Sequence, residues 1–441
     1  MSRINIKQIR KIENCCHKIK SEENLDSAIS YILDKLSQSP DARLAGVFNR
    51  LLTEHNLSAN DRNYGAAPHY NIAPDILKSH FRNTSFWCDE EKSVTGLPGV
   101  NVHPVSDAYL SHLDIKEYCE TKTQRSYRQR FTNHECCVYS IENGMAYCSG
   151  GTSTVVAGDQ HIFSDLSSGP ANLASVVTSQ RKPYRISGNV AFICSLYLNN
   201  AFFHWLIEYI PRILMLGKAG FCISDIDAWI FPNEVVTDFA RDTLEHLGID
   251  KSRIFNADTL PYIAADNLIV PSQMSGSYGT TWCRESMKKA FLHNKTTVKT
   301  PKRIYISRNR GEKRTIINET ALIGTLKKHN VEPVYFEELN IHEQIALVSN
   351  AELIVATHGA ALSHLVFSNN NVRVLEIFSE NYVNRCFQRI LSHTDAIYTG
   401  VLGKPGESKK FNNRNGENIV VDVSQVSRAI DYLLSDQTLS V

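Results

Sequence analysis

From Gly188 onward the apolar residues fall into two alternating rhythms. GNVAFICSLYL (188–198) is an unbroken run of strand length, and AFFHWLIEYIPRILMLGKAG, which follows it, repeats its apolar positions at helical spacing. AWIFPN, RIFNA and NLIVPS read as further strands, with VVTDFARDTLEHLG and TWCRESMKKAFLHN as helices. A polar, basic stretch, KTTVKTPK, separates this series from a second one. There RIYISR, EPVYF, LIVATH, VRVLEIF and AIYTGVL are strands, set between the helical runs NETALIGTLKKH, IHEQIALVSN, AALSHLVF and NRCFQRILSHT. Strands that alternate with helices predict parallel sheets covered on both faces, so two such series predict two Rossmann-like units.

The chain before Gly188 reads differently. CCVYSIENGMAYCSGGTSTVVAGDQHIFSDLS alternates short β-type runs with Gly and Asn turns, the pattern of hairpins. Residues 61–135 are rich in Asn, His, Pro and Ser and show no clear period. In the first 60 residues, Leu25, Ile29, Ile32 and Leu36 keep helical spacing behind a weak cap at Ser21. The last helix, QVSRAIDYLLSD, follows the strand NIVVDVS and could fold back on the first unit, which the sequence does not decide. The expected division is a helical segment over 1–60, an acceptor-side unit with its hairpins over 61–297, a second unit over 298–423, and a closing helix over 424–441.

Composition narrows the class. The 441 residues carry 47 basic and 46 acidic side chains, a net charge of +1, which gives no support for a nucleic-acid partner. No apolar run reaches the length of a spanning helix; Ala201 to Leu216 is broken by His204, Glu208 and Arg212. With no export signal at its start, the chain is expected in the cytoplasm, with peripheral contact at the inner membrane surface left open. Eleven cysteines without a C-x-x-C read as reduced thiols, and no metal cluster is visible.

Four stretches could carry chemistry. His358, Gly359 and Ala360 lie where a strand hands over to a helix, the place where open α/β sheets bind anionic ligands. A tight turn that needs small residues explains them equally well. Arg308 and Arg314 follow RIYIS at another strand end, and arginine forks match phosphate oxygens. Asn318 and Glu319 come next, with helix capping as the competing explanation. His204, Glu208 and Arg212 stand at i, i+4 and i+8 of an otherwise apolar helix. His204 or Glu208 could act as a general base, whereas a Glu208–Arg212 ion pair with a satisfied histidine is the packing alternative. Pro211 should kink that helix. Glu376, at a strand end, could accept hydrogen bonds from a sugar hydroxyl or pair with an arginine. G-x-G-x-x-G and G-x-x-x-x-G-K-[ST] are both missing, against dinucleotide and P-loop chemistry.

The ordered combination of FFHWLIEYIPRILML, RIYISR with the following basic residues, HGAALSHLVF and VLEIF resembles glycosyltransferase family 61. The resemblance covers roughly residues 135–380. It implies a GT-B architecture, two Rossmann-like domains facing a cleft, with the nucleotide-sugar donor held mainly by the C-terminal one. It also implies an inverting transfer without a bound metal or other cofactor, a UDP-type donor, and a glycan or glycolipid acceptor. Without signal or anchor, the chain is similar to bacterial members that build capsule, lipopolysaccharide or another surface glycan. The sequence departs from the family pattern at Glu208, where many members carry Asp, and at Ala361-Leu362-Ser363-His364, where Gly-Leu-Thr-Asn is usual. On this reading His204 or Glu208 is the base, and Arg308, Arg314, Asn318, Glu319, His358, Gly359, Ala360 and Glu376 surround the donor. Two rival readings stay open, a non-catalytic nucleotide-sugar-binding subunit of a glycan-assembly system and a sugar-nucleotide epimerase of the same shape.

Overall fold

In the computed structural model, the described residues are 6–23, 27–28, 31–32, 34–35, 47, 91–92, 97–115, 130–149, 152–156, 162–163, 166–167, 183–195, 201–274, 278–292, 299–311, 313–384, 386–406 and 416–435. The chain opens with helix α1 (Ile6–Glu22). Ser21 lies in its last turn and its hydroxyl donates to the Lys18 carbonyl, so it closes this helix instead of capping the next.

The first sheet has ten strands: β1 (Glu91–Lys92), β2 (Val100–Ser106), β6 (Cys136–Glu142), β7 (Met145–Ser149), β8 (Thr152–Val156), β9 (Ile162–Phe163), β10 (Tyr184–Phe192), β11 (Ala228–Phe231), β12 (Ile254–Asn256) and β13 (Tyr262–Pro271). Strands β13, β10, β11 and β12 lie side by side and parallel. The expected hairpins, β6 to β9, extend the same sheet beyond β13. β10 ends at Phe192, short of the run read from the sequence, whose residues 196–198 lie outside the described part. β13 begins at Tyr262, earlier than NLIVPS suggested.

Helix α2 begins as Phe202–His204, passes through a π turn at Trp205–Tyr209, and continues as Ile210–Lys218. Pro211 explains the irregularity. It has no N–H to give to the Ile207 carbonyl, and the turn before it widens so that the Ile210 amide reaches Trp205 O. Helix α3 (Asp238–His246) and helix α4 (Thr281–Phe291) complete this half.

The second sheet follows the order β15 (Glu332–Val334), β14 (Arg303–Ile306), β16 (Leu353–Thr357), β17 (Arg373–Ser379), β18 (Ile397–Gly406), β19 (Asn418–Val420). All neighbours are parallel except β19, which runs antiparallel to β18. Helices α5 (Glu319–Lys328), α6 (Ile341–Asn350) and α7 (Cys386–Ile390) and a 3-10 turn at Ala360–Phe367 connect these strands. A capping box fixes the start of α6: Asn340 Oδ1 accepts from the amides of His342 and Glu343, and the Glu343 carboxylate accepts from the Asn340 amide. The closing helix α8 (Val423–Leu434) packs on the second sheet with α5. Its apolar stripe of Val426, Ala429, Ile430 and Leu433 is buried against Val401 and Ile419.

The two sheets are tied together. Strand β4 (Asp114–Ile115), from the stretch without clear period, pairs with β18 of the second sheet. Beside it a two-stranded ribbon, β3 (Tyr109–His112) with β5 (Arg130–Asn133), joins Ser111 Oγ to Ser392 Oγ at 2.9 Å. Arg284 of α4 donates to the carbonyls of Leu365 and Ser368 at the end of the 3-10 turn, at 2.7 and 2.9 Å. One apolar core runs through α2, α3 and α4 into the 3-10 turn and α6. No helix among the described residues is long and apolar enough to cross a membrane.

Candidate active site

The order of strands selects two places. In the second sheet the chain goes from β14 outward to β15, then returns to the other side of β14 as β16. A crevice therefore opens between the carboxyl ends of β14 and β16, where the connections diverge. Ser307 and Arg308 stand at the end of β14, and His358 and Gly359 at the end of β16. In the first sheet β10 and β13 form the matching point, since β11 and β12 lie on one side of β10 and β13 on the other.

At the second sheet's crevice, the Arg308 side chain lies across Gly359, and a Cβ at that position would overlap its guanidinium Nη1. A side chain at 359 would therefore displace this guanidinium, while the Gly359 backbone itself is extended, not left-handed. Arg308 Nε donates to the Lys313 carbonyl at 3.2 Å, and Arg308 forms no ion pair among the described residues. Burial, with the charge of Arg314 beside it, pushes its pKa down to about 10, partly offset by Glu337. It is charged at neutral pH. Arg314 is also shifted down by burial, against Tyr382, Cys386 and Glu376. Two half-buried cations brought together repel, and an anion between them relieves both.

Asn309 ties the start of this stretch to Ile316. Asn309 Nδ2 donates to the Ile316 carbonyl, and Asn309 Oδ1 accepts from the Ile316 amide at 3.0 Å. Arg314 takes a left-handed φ of 56°, an uncommon conformation for a side-chain-bearing residue. Its guanidinium lies 5.7 Å from the Tyr382 ring centroid.

His358 is braced from behind. Its Nδ1 is 2.5 Å from Glu376 Oε1, and the other carboxylate oxygen accepts from the Tyr398 hydroxyl. Glu376 is fully buried. Both its oxygens are engaged, which corrects its assignment as a sugar-hydroxyl acceptor: it orients His358 and leaves Nε2 as the nitrogen that can meet a ligand. Rings of Phe378, Tyr382 and Phe387 surround the imidazole at 5.1–5.4 Å. Ala360, half-buried, starts the 3-10 turn, whose first amides have no partner within it.

Asn318 turns away from the crevice chemistry expected of it, whereas Glu319 reaches the end of β14. Asn318 exchanges hydrogen bonds with the backbone of Val421, at 2.8 and 3.0 Å, joining α5 to the strand end before α8. Its side chain makes no cap on α5. Glu319 is buried, and its Oε1 accepts from Tyr305 and from Ser307 at the end of β14, at 2.9 and 2.6 Å.

Across the seam, α2 presents His204 with side-chain exposure of 23% and Glu208 behind it at 9%. Their closest atoms, His204 Nδ1 and Glu208 Oε2, are 3.3 Å apart. The expected alternative of a Glu208–Arg212 pair does not form. Arg212 is fully buried and donates to the carbonyls of Ile193, Cys194 and Pro271 at 2.7, 3.0 and 3.0 Å. It therefore fills the first sheet's own strand-end point, between β10 and β13. Phe387 connects the two sides, its ring 5.7 Å from Phe203 and 5.1 Å from His358. His364 stacks on Phe202 at 5.1 Å, fully buried, and burial pushes its pKa down to about 4.

Sequence reasoning missed Tyr398, Tyr382, Phe387 and Asn309. None stands in a motif or period: Tyr398, Tyr382 and Phe387 meet the site from distant segments, and Asn309 bonds Ile316 within its own loop. Among the described residues no group of three or more His, Cys, Asp or Glu is placed to hold a metal ion.

Comparison with known proteins bears on the same stretch. The family model described as Glycosyltransferase 61 matches residues 202–375, which is under half of the chain. An EGF domain-specific O-linked N-acetylglucosamine transferase of Drosophila melanogaster is 33% identical over 78 residues, 17% of this chain and 15% of that protein. Beta-1,2-xylosyltransferase RCN11 of Oryza sativa subsp. japonica is 33% identical over 83 residues, 19% of this chain and 15% of that protein. The chain thus spans only a small part of the curated relatives it matches. Among solved structures, the iron-containing dodecameric glycosyltransferase TibC of enterotoxigenic E. coli matches with a TM-score of 0.30 at 9% identity, over 74% of this chain and 95% of that one. A likeness that faint carries no argument about the site. From the helix that bears His204 to the strand that bears Glu376, residues 202–375 carry the glycosyltransferase 61 pattern that the ordered sequence blocks resemble.

Proposed function

We propose that the chain is a glycosyltransferase of GT-B type that moves a sugar from a UDP-type nucleotide-sugar donor to a hydroxyl of a glycan or glycolipid, with inversion and without a resident metal ion. The observation that carries this reading is the Arg308 guanidinium laid across Gly359 at the carboxyl ends of β14 and β16, beside the braced His358. The family match over the same residues supports it. The acceptor oxygen forms its bond to the anomeric carbon as the bond from that carbon to the diphosphate breaks. The hydroxyl proton goes to His204, whose imidazolium the nearby Glu208 carboxylate would stabilise, and the electron pair leaves with the diphosphate. Arg308, Arg314, His358 Nε2 and the first amides of the 3-10 turn stabilise the charge that develops there. The names of the two curated relatives make UDP-N-acetylglucosamine and UDP-xylose the first donors to try.

The test is a thermal-shift series with UDP, GDP, CMP and ADP, each with and without EDTA. A ligand that binds only the folded chain raises its melting temperature by mass action. A rise with UDP that survives EDTA is expected; no rise with any nucleotide would overturn the reading.

A further inference from the structure

A second cavity lies away from the crevice, along the free edge of the first sheet. It is a groove of about 620 Å³ between α3 and the edge strand β12, within the usual size of a small-ligand site. Its upper end is the Glu234–Val235 loop, at the carboxyl end of β11, and its lower end is Asp250–Lys251. β10, β11 and β12 are parallel, so their carboxyl ends share one edge of the sheet. The chain leaving β10 there leads into the helix of His204, and β12 lies two strand spacings away, roughly 10 Å.

The lining has a specific character. Phe255, 37% exposed, presents a ring from the middle of β12. Glu245 and Glu234 have no hydrogen bond or ion pair for their carboxylates among the described residues, and both line the groove. Asn256 uses its Oδ1 to accept from Thr259 and leaves Nδ2 without a partner among the described residues. Asp250 is already committed, accepting from the amide and hydroxyl of Ser252. Arg241 is held by Asp238 at 2.5 Å. A flat ring flanked by carboxylate acceptors, with the Asn256 amide and the Lys251 ammonium as donors, suits a ligand with an apolar C–H face and a rim of hydroxyls.

We propose that this groove binds a neutral oligosaccharide, the part of the acceptor that trails behind the reacting sugar. Its role as acceptor rests on the transferase reading; the binding itself does not. A peptide adding a strand to β12 would gain little, because that strand has three residues and few main-chain bonds to offer. A second copy of the chain would need a broad apolar face, whereas the large exposed apolar side chains here are Phe255 and Val236.

The experiment is retention on an array of mono- to tetrasaccharides by the full chain, Phe255→Ala, Glu245→Gln and His204→Ala, with UDP-induced thermal shift measured on each. The expected result is retention of neutral oligosaccharides longer than one unit, weakened about tenfold by Phe255→Ala, the usual worth of one aromatic contact. Glu245→Gln should weaken it less, His204→Ala should keep it, and the UDP shift should be the same in Phe255→Ala as in the parent. Retention unchanged in both groove variants, or no retention of any oligosaccharide by the folded chain, would overturn the proposal. Loss of the UDP shift in the parent chain would instead count against the transferase reading alone.

Discussion

The two sheets place an arginine at the same topological position and use it in opposite ways. At the first sheet's strand-end point, Arg212 is sealed from solvent and its guanidinium is spent on three main-chain carbonyls. At the second sheet's point, Arg308 crosses a glycine, takes one carbonyl through Nε and faces another cation. One arginine closes its crevice as part of the fold. The other keeps its crevice charged, at some cost to the empty protein. A strand-end crevice in an α/β sheet is therefore a place where a ligand can bind, and the side chains decide whether the protein itself occupies it.

The largest effects should separate these two arginines. Arg212→Met removes donors from three buried carbonyls and should destabilise the fold by at least about 3 kcal/mol in urea unfolding. Arg308→Met should change stability by about 1 kcal/mol or less, because its like-charged neighbour is relieved. Equal losses in the two variants would erase the contrast.

The two histidine–glutamate pairs sharpen the same comparison. His204–Glu208 sits on one helix with the imidazole reaching solvent, as a group that exchanges protons must. His358–Glu376 spans two neighbouring strands and is buried, as suits a fixed hydrogen-bond donor. His204→Ala should lower kcat by about 10²–10⁴-fold and leave UDP affinity unchanged. A matched fall in UDP affinity would move His204 from proton transfer to donor binding. Gly359→Ala should weaken UDP roughly tenfold in calorimetry by pushing Arg308 off the turn, with a smaller effect on stability.

A pH-dependent effect belongs to the seam between the sheets. His364 is neutral in the fold, with its pKa pushed down to about 4, and an unfolded histidine protonates near 6.5. The unfolded chain therefore binds the extra proton, and the stability from this site is complete above pH 6.5 and lost as pH falls toward 4. His364→Asn should remove about 2 kcal/mol of the stability lost between pH 7 and pH 5, read from urea midpoints. His393, also pushed down to about 4 by burial and by the charges of Arg284 and Arg389, would keep part of the acid sensitivity.

Much of the framework was legible in the sequence because burial imposes period. The alternation after Gly188 located the parallel strands, and the ends of RIYIS and LIVAT located Arg308 and Gly359. The side-chain partners were not legible. Asn318 looks like a cap or a ligand contact in one dimension, yet its amide is occupied by the backbone of Val421. Glu376 appeared free for a sugar because nothing in VRVLEIF announces Tyr398 on the adjoining strand. β4 left no pattern because two residues carry no period, although it joins the second sheet from the first half of the chain.

The most direct measurement is calorimetric titration of UDP into the parent chain, Arg308→Ala and His204→Ala. The account predicts binding to the parent and to His204→Ala with matching affinity, and a loss of at least about tenfold in Arg308→Ala. Binding to Arg308→Ala as tight as to the parent would contradict it, and would remove the diphosphate from the crevice between β14 and β16.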